Sequence, residues 1–232
     1  MIDVKVIASG SSGNCTVLTC GSATILLDAG IKFSAIQRAL DFKNPTAVLI
    51  THEHSDHAQK STIKEFLKRG VEILMTRGTA KALELEPRHN LCYCSPNNTE
   101  IVEGLFINCS PVQHDAEEPV SFIINNGVDE VAYITDTGWL ELGRPTVTKL
   151  LIEANFACDA LTESRINRKQ INRIFENHLS IEQVVGVLET ADMPRLREIW
   201  LMHISRRHGD GEEFRRRVEA VVPKSVEVRL AI

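Results

Sequence analysis

No apolar run in this 232-residue sequence approaches the ~20 residues that a membrane span needs. The opening stretch, MIDVKVIASG, has no charged segment followed by a long apolar one, so no secretory signal is read there. A cytoplasmic protein without a membrane partner is expected. Positive charge is not in excess either. The 26 Lys and Arg stand against 31 Asp and Glu, a formal net charge of −5, which excludes a strongly basic nucleic-acid coat but leaves room for a local basic patch. A disulfide framework is also missing. The six Cys are scattered through apolar stretches of a chain long enough to bury a core without staples. Cys92 and Cys94 form a C-x-C pair, but nothing nearby completes a tetrahedral metal site, so buried free thiols in a reducing compartment are expected. There is no internal repeat, low-complexity tract or Pro/Gly/Ser-rich linker, which predicts a single domain over residues 1–232.

What is present alternates strands, turns and helices. Strands are predicted over Asp3–Ala8, Asn14–Thr19, Ala23–Asp28, Ala47–Ile50 and Val71–Met75. Further strands are predicted over Glu100–Cys109, Val120–Asn125, Glu130–Thr135, Leu150–Ala154, Glu198–Met202 and Val226–Ile232. Helices are predicted over Ile31–Leu40, Asp56–Arg69, Thr79–Leu85, Ile166–Asn177, Ser180–Ala191 and Gly211–Ala220. Ser180 and Gln183 form an S-x-x-Q capping box. The strand density, with helices gathered toward the end, predicts an α/β fold of two packed sheets with helices outside.

Chemistry concentrates in AVLITHEHSDH, residues 47–57. His52, His54, Asp56 and His57 follow a buried strand, and alternation puts His52 and His54 on one side of an extended segment. Imidazole is the commonest metal ligand and carboxylate adds an oxygen donor. A solvated loop with incidental histidines is the bland alternative, which four such donors in six positions make a poor one. More donors follow strands elsewhere: His114 after the run ending at Val112, Asp136 at the end of VAYITD, and His203 after EIWLM. Strand ends at one edge of a sheet converge in space.

Over most of its length the sequence resembles the metallo-β-lactamase-fold hydrolases. Asp28 in LLDAG matches the family's first motif, THEHSDH its H-x-H-x-D-H signature, and His114, Asp136 and His203 the remaining motifs in order. The resemblance implies an αββα sandwich and two divalent metal ions, zinc in most of the family and manganese or iron in some. It implies one ion on His52, His54 and His114, a second on Asp56, His57 and His203, and Asp136 between them, with a water or hydroxide as nucleophile.

Five segments point to phosphodiesters. VIASGSSGNCTVL and PVQHDAEEPVSF are similar to the YycJ/WalJ-type subgroup, which is associated with nuclease activity. LLIEANF, NHLSIEQ and LMHISRR resemble motifs of the tRNA 3′-end-processing endonucleases, tRNase Z. On that match Glu153 orients His178, which assists the leaving oxygen, while Asp56 positions the attacking water or takes its proton. Substrate phosphate contacts are assigned to Arg206, Arg165, Arg168 and Ser11, although exposed Arg side chains and Gly-rich turns commonly have no such role. The chain departs from these patterns at Phe156 and His208, and only 17 positions separate Asp136 from Glu153, with no long tRNA-gripping arm. The expected partner is DNA, RNA or a cyclic nucleotide; a homodimer is compatible with the sequence. A thioester or lactam hydrolase on the same ligands, or a non-catalytic nucleotide- or nucleic-acid-binding domain, are the alternatives.

Overall fold

The computed structural model describes residues 1–96, 98–140, 142 and 146–231. Its strands form two sheets, and the chain divides into two compact units, residues 1–111 with 116–128 and residues 112–115 with 129–232.

The first unit begins with an antiparallel meander of β1 (Asp3–Ala8), β2 (Cys15–Cys20) and β3 (Ala23–Leu27), in register at Lys5↔Val17 and Leu18↔Ile25. Parallel strands follow: β4 (Ala47–Leu49), β5 (Glu72–Met75) and β6 (Leu91–Tyr93), paired at Ile25↔Ala47, Val48↔Ile73 and Leu74↔Cys92. The crossovers carry α1 (Phe33–Ala39), α2 (Lys60–Lys68) and α3 (Arg77–Ala82). The crossover helices cover one face of these strands, and the residues of the other face, Ile25, Leu27, Ala47 and Leu49, are buried as well, which is why β3 and β4 read as nearly unbroken apolar runs. Leu26, Ile36, Val48, Ile63, Phe66 and Ile73 form the centre of this core, each at most 1% exposed. The unit ends with an antiparallel set, β7 (Thr99–Val102), β8 (Leu105–Pro111) and β9 (Val120–Asn125).

The second unit contains parallel strands β10 (Glu130–Ile134), β11 (Lys149–Glu153), β12 (Glu198–Met202) and β13 (Glu227–Leu230), in register at Tyr133↔Leu151, Leu151↔Trp200 and Trp200↔Arg229. Its helices are α4 (Cys158–Thr162), α5 (Arg168–Asn177), α6 (Ile181–Thr190) and α7 (Gly211–Glu219). Ser180 and Gln183 cap α6 reciprocally, as expected, and Asn167 with Gln170 does the same for α5. Within the first unit the strands run β1-β2-β3-β4-β5-β6 and β9-β8-β7, and within the second β13-β12-β11-β10.

Most predicted elements are present, with instructive differences. The strand expected over Glu100–Cys109 is a hairpin, because Glu103 and Gly104 turn the chain at φ 47° and 79°. The helix expected from Asp56 starts at Lys60, since residues 54–57 form a tight turn in which the His54 carbonyl accepts from His57 N–H at 2.9 Å. α3 begins at Arg77 because the Thr76 hydroxyl accepts from Thr79 N–H at 3.2 Å. The last strand stops at Leu230; Ile232 lies outside the described residues. Among the described residues no helix is long and apolar enough to cross a membrane.

Candidate functional site

In the first unit the ends of β3 and β4 place the donors. Asp28 follows β3 at φ 61°, a left-handed conformation that its short side chain tolerates, and is fully buried. Its Oδ1 accepts from Thr51 N–H at 2.9 Å and its Oδ2 from His57 Nδ1 at 2.7 Å. The Thr51 hydroxyl donates its one proton to this carboxylate, at 3.0 and 3.1 Å. At the His52 Nδ1, 3.0 Å away, the same oxygen therefore accepts. Both imidazoles are thus protonated at Nδ1, which leaves Nε2 as the lone-pair nitrogen. Asn14, 1% exposed, donates its amide to His57 Nε2 at 2.9 Å and to the Asp56 carbonyl at 3.2 Å. The three rings are neighbours, with centroids 4.8 Å apart for His52 and His54 and 4.3 Å for His52 and His57. Asp56 places Oδ2 3.7 Å from His57 Nε2. Gly30 closes the arrangement from behind: a Cβ there would lie 1.7 Å from the Asp56 carbonyl oxygen.

In the second unit Asp136 follows β10 at φ 47° and His203 follows β12 at φ 52°, while Glu153 ends β11. Asp136, Glu153, His178 and His203 each bring a ligand atom within 4.8 Å of the others. Glu153 is fully buried. Its Oε1 accepts from His178 Nδ1 at 2.6 Å and from His203 Nδ1 at 3.0 Å, and its Oε2 accepts from the N–H of Leu179 at 3.2 Å and of Thr137 at 3.3 Å. Burial alone would raise the Glu153 carboxyl. Attraction to His178 and the two imidazole hydrogen bonds outweigh both burial and the nearby Asp136, so the group stays below the usual carboxylate range. Burial likewise disfavours charge on His178, yet the Glu153 carboxylate holds that imidazole above its ordinary range. His114 donates Nδ1–H to the Asn177 carbonyl at 3.0 Å, and its Nε2 lies 3.6 Å from Asp136 Oδ2. Asn155 contacts both the His203 ring and its carbonyl, at 3.1 and 2.8 Å.

These side chains suit divalent ions. Imidazoles fixed through Nδ1 by a carboxylate, hydroxyl or carbonyl, with carboxylates beside them, are the usual preparation of metal-ligating histidine. The all-nitrogen-and-oxygen set does not select one metal.

The profile of the beta-lactamase superfamily domain matches residues 23–204, most of the chain and all of these donors. The chain belongs to the beta-lactamase superfamily. It is 26% identical over 216 residues to the exodeoxyribonuclease YycJ of Bacillus anthracis, covering 87% of this chain and 81% of that protein. Among solved structures, the metallo-β-lactamase-fold protein YhfI from Bacillus subtilis superposes with a TM-score of 0.75 at 16% identity, over 99% of this chain and 96% of that one. Zinc-bound PqqB from Methylobacterium extorquens gives 0.71 at 16% identity, over 99% and 98%. The expected metallo-β-lactamase α/β fold is therefore the observed one, and the fold implies divalent metal ions.

Within this superfamily member the remaining expected residues lie on the surface. Ser11 is exposed on the Gly10–Asn14 turn that Asn14 ties to Asp56, and Arg165, Arg168 and Arg206 are exposed. Asn14, Thr51, Asn155 and Asn177 were not anticipated from the sequence. Only Asn14 left a signal, as the polar end of the Gly-rich turn SGSSGN.

Proposed function

We propose that this superfamily member is a metal-dependent phosphodiesterase of the nuclease type, a single metallo-β-lactamase-fold domain working in the cytoplasm. His52, His54, Asp56, His57, His114, Asp136 and His203 are its metal ligands, zinc first among the candidate ions. The observation that carries the reaction type is the His178–Glu153 pair at 2.6 Å. Hydrolysis of a phosphodiester must expel an alkoxide, which needs a proton, whereas a thiolate leaves without one. Glu153 holds the ring through Nδ1, so Nε2 is the atom that delivers the proton to the leaving oxygen. Asp56, whose side chain is 24% exposed, accepts the proton of the attacking water. Water adds to phosphorus, the P–O bond to the alcohol breaks, and the alcohol leaves protonated. When bound, divalent ions supply acidified water and positive charge against the phosphate. The nuclease name of the YycJ relative supports the same reading, as do six free cysteines, which suit a reducing compartment.

The test is His57→Ala. Hydrolysis of bis-p-nitrophenyl phosphate is expected to fall by at least about 100-fold, with metal content of the purified protein reduced and circular dichroism retained. Full activity in that variant overturns the assignment.

A further inference from the structure

One large exposed aromatic side chain of the second unit sits on the turn that follows Asp136. Trp139 is 61% exposed and lies three residues beyond Asp136. Its backbone, by contrast, is tied down. The Thr137 hydroxyl donates to the Trp139 carbonyl at 2.7 Å, Gly138 N–H donates to the Gln113 carbonyl at 2.9 Å, and Gln183 Nε2 donates to the Gly138 carbonyl at 3.2 Å. Gly138 is pressed so close to α5 that a Cβ would lie 2.0 Å from the Glu176 carbonyl oxygen. The turn is thus held between the residue preceding His114 and the residues preceding His178, and Thr137 N–H also reaches Glu153. Leading into His178, α5 carries exposed Arg168, Lys169 and Arg173. Arg173 is paired with Asp115, the neighbour of His114.

An exposed indole on an immobilised turn presents a flat π-face at little entropic cost, and the helix that this turn packs against carries exposed cations toward its start. Aromatic faces beside cationic side chains are how single-stranded nucleic acid is gripped, because each unstacked base offers a π-face while the backbone follows the charge. In a duplex those faces are already covered.

We propose that Trp139 is a stacking platform for a nucleobase, so that the substrate of this site is a single-stranded, base-bearing phosphodiester. The inference rests on the phosphodiesterase reading above and extends it to the substrate class. Trp139 is a binding residue; it takes no part in proton transfer.

The test compares wild-type protein, Trp139→Ala and Trp139→Phe, all metal-loaded. The probes are fluorescent ten-nucleotide oligomers with phosphorothioate linkages, one of thymidines and one of abasic sites. Fluorescence anisotropy is expected to show Trp139→Ala binding the thymidine oligomer about tenfold more weakly, the loss of one base–aromatic stack. Trp139→Phe should restore most of that affinity, and all three proteins should bind the abasic oligomer equally weakly. Unchanged thymidine binding in Trp139→Ala, or equal losses on both oligomers, overturns the proposal. Bis-p-nitrophenyl phosphate turnover by the wild type is the separate arm. If it is absent while the base-dependent loss remains, the reaction assignment fails and the stacking site stands.

Discussion

His178 is the residue whose chemistry is most specific. Its Nδ1 is committed to a buried carboxylate at 2.6 Å, so only Nε2 can face a substrate. In His178→Ala, hydrolysis of a dinucleotide, with its poor alkoxide leaving group, is expected to fall by about 10²–10⁴-fold. Hydrolysis of bis-p-nitrophenyl phosphate should fall far less, since nitrophenolate departs unprotonated. Steady-state rates on the two substrates decide it, and equal losses would remove the acid role. The pair was legible in the sequence through its resemblance to known motifs, as were the seven proposed ligands, because H-x-H-x-D-H is local and each remaining donor follows a strand. The supporting residues were not. Asn14 meets His57 across 43 positions, Asn155 meets His203 across 48, and His114 meets the Asn177 carbonyl across 63. Spacing along the chain contains no trace of such contacts. A backbone carbonyl partner carries no side-chain signature at all.

The strand ends show how the elements serve the site. Asp28, Asp136 and His203 are all left-handed residues immediately beyond, or one residue beyond, the last residue of a strand. For Asp the cost is modest, but for His it is strain of the kind that persists only where the surroundings enforce it. Gly30 applies the same logic to close approach. Because the clashing atoms are the backbone of Asp56, Gly30→Ala is expected to cost about 3 kcal/mol and to displace the ligand turn. Gly186, exposed within α6 with nothing near its missing Cβ, should do the opposite, and Gly186→Ala should stabilise by about 0.5–1 kcal/mol. Urea midpoints of the two variants against wild type check both signs. Neither sign can be read from sequence, where the two are simply glycines. The elements themselves were readable wherever apolar periodicity was long. β6 and α4, three and five residues long, were missed because so short a stretch has no period, and the β7–β8 turn was missed because its first residue is Glu rather than Asn or Asp.

At the scale of the whole molecule the charge is uneven. Residues 1–160 carry 13 Lys and Arg against 20 Asp and Glu, whereas residues 161–217 carry 11 against 9. Several of the acidic groups are proposed ligands, so the net −5 misstates what a phosphate meets there. A net charge of −5 gives no overall attraction to a polyanion, so under the stacking proposal a nucleic-acid substrate is held by a few local contacts and by stacking. That distinction is measurable. Binding to a single strand loses affinity with salt in proportion to the phosphates neutralised, with a log–log slope of roughly −0.7 for each. Contacts limited to exposed cations such as Arg165, Arg168 and Lys169 amount to about three phosphates, hence a slope near −2. Anisotropy titrations of a phosphorothioate oligothymidylate from low to physiological salt should give that shallow dependence, and Trp139→Ala should shift the line without tilting it. A slope of −5 or steeper would mean that an extended basic surface holds the strand, contrary to the charge distribution and to a site in which stacking and two or three cations share the work.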